Sequence, residues 1–132
     1  MTVQEAREIV CEYGKKLIRS GLVVGTWGNL SVRVDDHTMV ITPSGADYEK
    51  LEPDDMVVVD FRTDTVVPAE YAPGGKPADR TEDRPAPRPS SEKSLHEAVY
   101  LERPDAGAVI HTRPANASVL AAARREVPPI LD

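Results

Sequence analysis

The sequence has few of the residues that mark secreted or membrane-embedded proteins. Its 132 residues include one cysteine, Cys11, so an internal disulfide is excluded. No apolar run approaches the roughly 18 residues needed to span a bilayer. The first five residues, MTVQE, also lack the basic and then apolar pattern of a signal peptide. We therefore expect a cytoplasmic protein that makes no membrane contact.

Positive charge is scarce as well. The 16 lysines and arginines are outnumbered by 22 acidic residues, which gives a formal net charge of −6. Bulk attraction to nucleic acid or to anionic lipid is thereby excluded, and any anionic ligand must be held by a local site. With 40% hydrophobic and 29% charged residues, the composition is typical of a soluble globular protein. The length predicts a single domain over residues 1–132.

The first half of the chain predicts a helix followed by a small β-meander. Thr2 and Glu5 match a capping box, and apolar residues recur at helical spacing as far as Gly21. A glycine-rich turn then precedes the first strand, either as a plain tight turn or as an anion site to which Thr26, Asn29 and Ser31 would add side-chain donors. That strand alternates like a half-buried one, and the meander as a whole is predicted over residues 30–67. His37 is interpreted as a solvated residue at the tip of the first hairpin.

Residues 68–88 have a different character. The segment is rich in proline, contains Gly74-Gly75 and has almost no large apolar side chains. Such a composition predicts a flexible surface excursion that does not pack as a core element.

The residues that could take part in chemistry are concentrated in residues 89–114, PSSEKSLHEAVYLERPDAGAVIHTRP. Ser90 or Ser91 is predicted to cap a helix that runs to about Glu102. A short buried strand over residues 106–111 should end at His111, and an alanine-rich helix should follow over residues 115–125.

The predicted helix over residues 91–102 carries two titratable residues of interest. Glu92 falls in its first turn, where a carboxylate also suits the helix dipole without any further function. His96 lies one turn later and is interpreted as a packing residue. The apolar residues predicted to form the buried face of this helix are Leu95, Ala98 and Val99. Glu92 and His111 place a carboxylate and a histidine at the two ends of one helix-strand unit, which suggests acid/base chemistry beside a metal.

Four segments, in this order, give a resemblance to a known family: GTWGNLSVR, ITPSG, PSSE and AVIHTRP. Together they resemble the class II aldolase/adducin family. The resemblance implies an α/β fold of three layers, α/β/α, around a central and mostly antiparallel sheet, here incomplete at the C-terminal end. It also implies a homotetramer and zinc-dependent retro-aldol cleavage of a phosphorylated sugar.

The resemblance further implies roles for individual residues. Glu92 would be the catalytic acid/base, and His111 would be one ligand of a catalytic zinc. The phosphate of a substrate similar to dihydroxyacetone phosphate would be held by Asn29, Ser44, Gly45, Ser90 and Ser91.

Arg113 departs from the family pattern. Active members carry a second histidine two positions after the first, because residues i and i+2 of an extended chain point the same way. Arg113 occupies that position, and a guanidinium has no lone pair for a metal. The third ligand would come from a segment after Asp132. An alternative is therefore a non-catalytic, adducin-like module that binds an anion or a protein partner, with Arg113 pairing with a phosphate or carboxylate. A relative without independent function is the third possibility.

Overall fold

A computed structural model describes residues 1–23, 28–78 and 85–126 of the chain. Its helices and strands, in chain order, are α1 (Val3–Arg19), β1 (Asn29–Arg33), β2 (Thr38–Ile41), β3 (Val57–Asp60), β4 (Thr65–Val66), α2 (Lys93–Glu102), β5 (Ala108–His111) and α3 (Ala115–Ala122). Three short 3-10 helices lie at Tyr48–Lys50, Pro53–Asp55 and Ala69–Tyr71. None of the helices in these described ranges is long and apolar enough to cross a membrane.

Helix α1 begins and ends as its sequence predicts. The Thr2 hydroxyl accepts a hydrogen bond from the Glu5 backbone N–H at 3.1 Å, and the Glu5 carboxylate accepts one from the Thr2 backbone N–H at 2.9 Å. Gly21, just past the helix, has a φ of 75°, which is a conformation that glycine adopts without steric cost. The predicted capping box and the helix end are therefore confirmed.

The five strands form one antiparallel sheet in the order β4-β3-β2-β1-β5. Side chains alternate between its faces, and each face has its own apolar cluster. One cluster joins α1 to Leu30, Val32, Val40 and Val58. The other joins Tyr100 of α2 to Met39, Ile41, Val57, Val59 and Phe61. The sheet thus lies between α1 and α2, and the predicted three-layer α/β/α fold is confirmed.

Strand β1 is buried on both faces, so the expectation of a half-buried strand is wrong. Ser31 points toward α2 and has no exposed surface. The buried residues of α2 are His96, Glu97 and Tyr100, whereas Leu95 is 44% exposed. Ala98 is exposed and Val99 is only partly buried, so the predicted apolar face is also incorrect. The physical reason is that β1 presents polar side chains to α2, and the helix turns its hydrogen-bonding side toward them.

Strand β5 is less buried than predicted. It begins at Ala108, and exposed residues alternate with partly buried ones along it, with Ile110 55% exposed. In the described part of the chain, β5 is an edge strand that pairs only with β1. Helix α3 ends at Ala122, before the predicted Arg125, and Arg124 takes a left-handed conformation with a φ of 54°.

The proline-rich segment contributes to the core near its beginning. Ala69 and Ala72 are buried in the α1-side cluster, and the Pro73 carbonyl accepts a hydrogen bond from the Val3 backbone N–H at 3.0 Å. The expectation that residues 68–88 do not pack is wrong for this part, because small alanine side chains fit against α1. Residues 79–84 of the predicted excursion lie outside the described residues.

Candidate functional site

Two sequence motifs meet at the end of β2. The Ser44 backbone N–H donates to the Arg88 carbonyl at 2.9 Å, and the Ser90 backbone N–H donates to the Thr42 carbonyl at 3.1 Å. Pro43 and Pro89 face each other in an isolated antiparallel bridge. These backbone contacts join the turn after β2 to the segment that leads into α2, although the two are far apart in sequence.

The junction forms one wall of a cavity of about 240 Å³. This volume is below the roughly 300–1,000 Å³ of pockets for drug-sized ligands, so a small metabolite is the better match. Gly45, at its rim, has a φ of 65°, which explains why the turn uses glycine. The residues that line the cavity are Gly28, Asn29, Pro43, Ser44, Gly45, Ser90, Ser91, Glu92 and Arg113. All five predicted phosphate-binding residues, together with Glu92, thus lie around one cavity.

Helix α2 starts at this cavity, one or two residues later than the predicted cap at Ser91 or Ser90 implies. Its first residue is Lys93, and Glu92 occupies the N-cap position. Ser90 does not cap the helix; its hydroxyl accepts a hydrogen bond from the Glu92 backbone N–H at 3.2 Å. The prediction that Glu92 lies in the first turn is therefore corrected. The positive end of the α2 dipole borders the cavity, which favours an anion there.

Glu92 is paired with Arg113 across the cavity. Arg113 Nη2 donates to Glu92 Oε1 at 3.0 Å, and the two side chains are 53% and 37% exposed. The predicted acid/base and the residue in the second metal-ligand position are therefore direct partners. An anion that enters the cavity competes with Glu92 for the guanidinium.

His111 lies beside the cavity, opposite Asn29 in the pairing of β1 with β5. Asn29 Nδ2 is 3.5 Å from His111 Nδ1. On its other side, the Asn29 carboxamide oxygen accepts a hydrogen bond from His96 Nε2. Asn29 is only 5% exposed, so its amide connects the cavity to the interior.

Behind Asn29 lies a buried polar cluster that sequence reasoning did not identify as such. His96 has no exposed surface, and its Nδ1 is 2.6 Å from Ser31 Oγ, which is 2.8 Å from the Tyr100 hydroxyl. Burial, together with the nearby His111, lowers the pKa of His96 to about 4. Burial raises the pKa of Tyr100 to about 12. Both side chains are therefore neutral at pH 7.

The sequence did contain a signal for this cluster. His96 and Tyr100 are four residues apart on a helix, and Asn29 and Ser31 are two apart on a strand, so each pair shares a face. The interpretation of His96 as a packing residue agrees with its burial, although its hydrogen bonds lead to the cavity. Ser31 points away from the cavity, and Thr26 lies outside the described residues together with residues 24, 25 and 27 of the glycine-rich turn.

Tyr48 is a second residue that the sequence did not single out. Its side chain is 2% exposed, and its hydroxyl donates to the Gly28 carbonyl, at the start of β1. The same hydroxyl lies 3.2 Å from Thr42 Oγ1. Tyr48 therefore holds the backbone from which Asn29 projects.

The side chains of the described residues do not complete a metal site. Among the residues that the structure describes, no group of three or more His, Cys, Asp or Glu side chains is arranged to hold an ion. His111 offers one imidazole, and Arg113 is engaged with Glu92. His37 is exposed at the hairpin tip, as predicted. The zinc ligand role of His111 stays a prediction.

Comparison with known proteins gives a consistent family. Residues 8–132 match the Class II Aldolase and Adducin N-terminal domain. The chain is 33% identical over 131 residues to 5-deoxy-D-ribulose 1-phosphate aldolase of Bacillus thuringiensis, covering 98% of this chain and 54% of the relative. It is 35% identical over 127 residues to L-ribulose-5-phosphate 4-epimerase UlaF of Salmonella paratyphi B, covering 96% and 48% of the two chains.

Solved structures agree with the sequence relatives. A structure of L-fuculose 1-phosphate aldolase superposes with a TM-score of 0.73 at 35% identity, covering 95% of this chain and 51% of the other. L-fuculose-1-phosphate aldolase from Thermus thermophilus gives a TM-score of 0.62 at 27% identity, with 93% and 54% covered. The chain spans about half the length of these relatives.

Proposed function

Because this chain belongs to the class II aldolase and adducin family, we propose that it binds a phosphorylated sugar and acts on the carbon next to the sugar's carbonyl group. One observation carries the proposal. The predicted acid/base Glu92 lines the same small cavity as all five predicted phosphate-binding residues. The relatives named as a sugar-phosphate aldolase and a sugar-phosphate epimerase support the choice of a phosphorylated substrate.

The phosphate is proposed to lie against Ser44, Gly45, Ser90 and Ser91, near the N-terminal end of α2. Hydroxyl donors and the helix dipole favour an anion at this place. Arg113, which also lines the cavity, adds a full positive charge next to Glu92. A local site of this kind binds an anion in spite of the net charge of −6.

Glu92 is proposed to remove the proton from the carbon next to the carbonyl. That proton is weakly acidic, so its removal needs a positioned base and a group that stabilises the negative charge that develops on oxygen. Among the described residues that line the cavity, Arg113 is the one cation. Transfer of its hydrogen bond from Glu92 to the substrate oxygen would free the carboxylate at the moment when charge forms.

Zinc, expected from the resemblance, would supply Lewis-acid polarisation of the carbonyl oxygen. The described residues do not form a closed donor set for it, so no step is assigned to a metal here. The metal-dependent retro-aldol cleavage stays a prediction, as does assembly into a homotetramer in the cytoplasm. Metal content tests the metal dependence and oligomeric mass tests the assembly, both measured on the purified chain.

The proposed activity is tested by exchange of the α-protons of dihydroxyacetone phosphate in D₂O, followed by NMR with and without added Zn²⁺. Exchange is expected for the native chain and is expected to be lost in Glu92→Gln, which keeps the shape of the side chain and removes the base. Glu102→Gln, at the far end of α2, is the matched control and should exchange normally. If the native chain exchanges no protons under either condition, the catalytic proposal is wrong.

The second candidate is an anion-binding module without catalysis, and the Glu92–Arg113 pair favours it. The Glu92 carboxylate is already hydrogen-bonded to a permanent cation, so it is not free to approach a substrate proton. This alternative predicts that phosphorylated sugars raise the melting temperature of the native chain without any proton exchange, and that Arg113→Ala abolishes the stabilisation. Retained exchange in the native chain would contradict it.

A further inference from the structure

The buried cluster behind the cavity forms one continuous chain of hydrogen bonds. It runs from the Tyr100 hydroxyl to Ser31 Oγ, on to both ring nitrogens of His96, through the Asn29 carboxamide and out to His111 Nδ1. The members are contributed by α2, β1 and β5. Only His111, at the outer end, is close to solvent, since it is partly buried while the other four are almost fully buried.

The direction of each hydrogen bond follows from one acceptor. The Asn29 carboxamide oxygen has no hydrogen to donate, so His96 Nε2 must carry the proton that they share. A neutral imidazole then has a lone pair at Nδ1, which accepts from the Ser31 hydroxyl at 2.6 Å. Ser31 Oγ in turn accepts from the Tyr100 hydroxyl at 2.8 Å. Each donor finds an acceptor, so the chain is self-consistent with His96 neutral.

The same chain specifies the outer end. With its oxygen held by His96, Asn29 turns its amide nitrogen toward His111, and Nδ2 lies 3.5 Å from Nδ1. In the metal-free chain Nδ1 of His111 would then offer a lone pair, and the proton of the neutral ring would reside on Nε2, the nitrogen that zinc binding would otherwise need. Rotating the Asn29 amide by half a turn would reverse every bond from Asn29 to Tyr100.

We propose that His96 is a positioning residue, which fixes the amide orientation of Asn29 and, through Asn29, the tautomer of His111 at the edge of the cavity. The burial that keeps His96 neutral preserves the lone pair on which the direction of the chain depends. The consequence for catalysis rests on the function proposed above. The predicted tautomers do not rest on that function, and they are tested without any ligand.

Two substitutions separate the two nitrogens of His96. Glutamine places an amide nitrogen near the position of Nε2 and therefore keeps a donor for the Asn29 oxygen. Asparagine, which is shorter, places a polar atom near the position of Nδ1 and loses that donor. His96→Gln should therefore preserve the amide orientation of Asn29, and His96→Asn should not.

The experiment is ¹⁵N NMR of the imidazole nitrogens in the full chain, at about pH 8, where unperturbed histidines are neutral. The sequence has only 3 histidines, so assignment needs only single substitutions, and the exposed His37 is an internal reference. In the native chain His96 and His111 are both expected in the Nε2–H tautomer. His111 should keep this pattern in His96→Gln and lose it in His96→Asn, while His37 stays unchanged in both.

Three results in the native chain and the two His96 variants would overturn the proposal. One is a native His96 that carries its proton on Nδ1, another is a His111 that shows mixed tautomers in the native chain, and the third is an identical His111 spectrum in the two variants.

Folding is checked by the backbone amide spectrum. If His96→Asn unfolds, Asn29→Asp supplies the second variant, because an aspartate cannot donate to His111 Nδ1. In that variant the proton of His111 should move from Nε2 to Nδ1, while His96 keeps its Nε2–H form. An unchanged His111 would overturn the proposal. Loss of α-proton exchange with intact tautomers would count against the proposed function alone.

Discussion

The two faces of the sheet carry different kinds of side chain. On the α1 side, the strands contribute aliphatic side chains such as Val40 and Val58, both almost fully buried. On the α2 side, the β1 strand contributes Asn29 and Ser31, whose polar atoms are paired with residues of α2 and β5. An apolar face is stabilised by burial that has no preferred direction, whereas hydrogen bonds fix orientation. The α1 face should therefore contribute stability without setting the geometry of the cavity, whereas the α2 face, which also has an apolar cluster, should contribute to both.

The largest effect on stability is expected from a matched pair of methionines, one on each face. Met56 belongs to the α1-side cluster and Met39 to the α2-side cluster, and neither has exposed surface. Replacing a buried methionine by alanine typically costs about 2–5 kcal/mol. Urea unfolding should show a loss of this size for both variants.

The methionine pair also tests the division of roles. Met56→Ala should leave the imidazole spectra of His96 and His111 as in the native chain. A change in those spectra as large as that caused by His96→Asn would show that the α1 face also sets the geometry of the cavity.

The next effect concerns pH and comes from the polar face. Burial lowers the pKa of His96 to about 4, whereas an unfolded histidine titrates near 6.5. Between these values the unfolded chain binds the proton and the folded chain does not, so stability falls as the pH is lowered through this window. The loss from this single group is up to about 3 kcal/mol.

The contribution of His96 to the pH dependence of stability is obtained by comparing the native chain with His96→Gln. Unfolding free energies of the native chain and of His96→Gln are measured from pH 7 to pH 4. The native chain should lose more stability than the variant over this range, since glutamine does not titrate. Parallel curves would mean that the folded chain accommodates a charged His96.

A smaller loss is expected when the middle of the polar chain is removed. Ser31→Ala deprives both His96 Nδ1 and the Tyr100 hydroxyl of their shared partner, and an unsatisfied buried polar group costs about 1–3 kcal/mol. Tyr100→Phe removes one end only, and the cost should be nearer to 1 kcal/mol. Equal losses from the two changes, measured by urea unfolding, would indicate that a water molecule replaces the serine hydroxyl.

The same difference between the faces explains how far the sequence could be interpreted. Apolar patterns predict the strands and helix α1, because apolar periodicity directly reflects burial. The buried face of α2 could not be predicted in this way, since two of its three buried residues, His96 and Glu97, are polar. Periodicity then favours the wrong side, and Leu95 is exposed.

The cavity shows the complementary case. Its members were selected by family resemblance, and the structure brings Ser44, Ser90 and Glu92 together around one space. The contact between Arg113 and Glu92 could not have been derived from spacing, because it depends on β5 lying beside β1 and on α2 starting at the cavity. Local sequence carries no information on such long-range placement.

The smallest effect on stability should come from the ion pair in the cavity. Arg113 and Glu92 are both substantially exposed, and an exposed ion pair contributes at most about 1 kcal/mol. Arg113→Ala should therefore unfold at nearly the native urea concentration. Its effect on ligand binding should be much larger, because the cavity loses its cation.

Arg103 provides the matched control for this prediction, since it forms an exposed ion pair with Asp105 after the far end of α2. A ligand at 100 times its dissociation constant stabilises the folded state by about 2.7 kcal/mol. With dihydroxyacetone phosphate at saturating concentration, the native chain and Arg103→Ala should be stabilised by this amount and should therefore melt at a higher temperature. Arg113→Ala should show no such increase. If Arg113→Ala is stabilised as strongly as the control, the phosphate is held by the serine hydroxyls and the α2 dipole alone. The guanidinium would then serve only to hold Glu92.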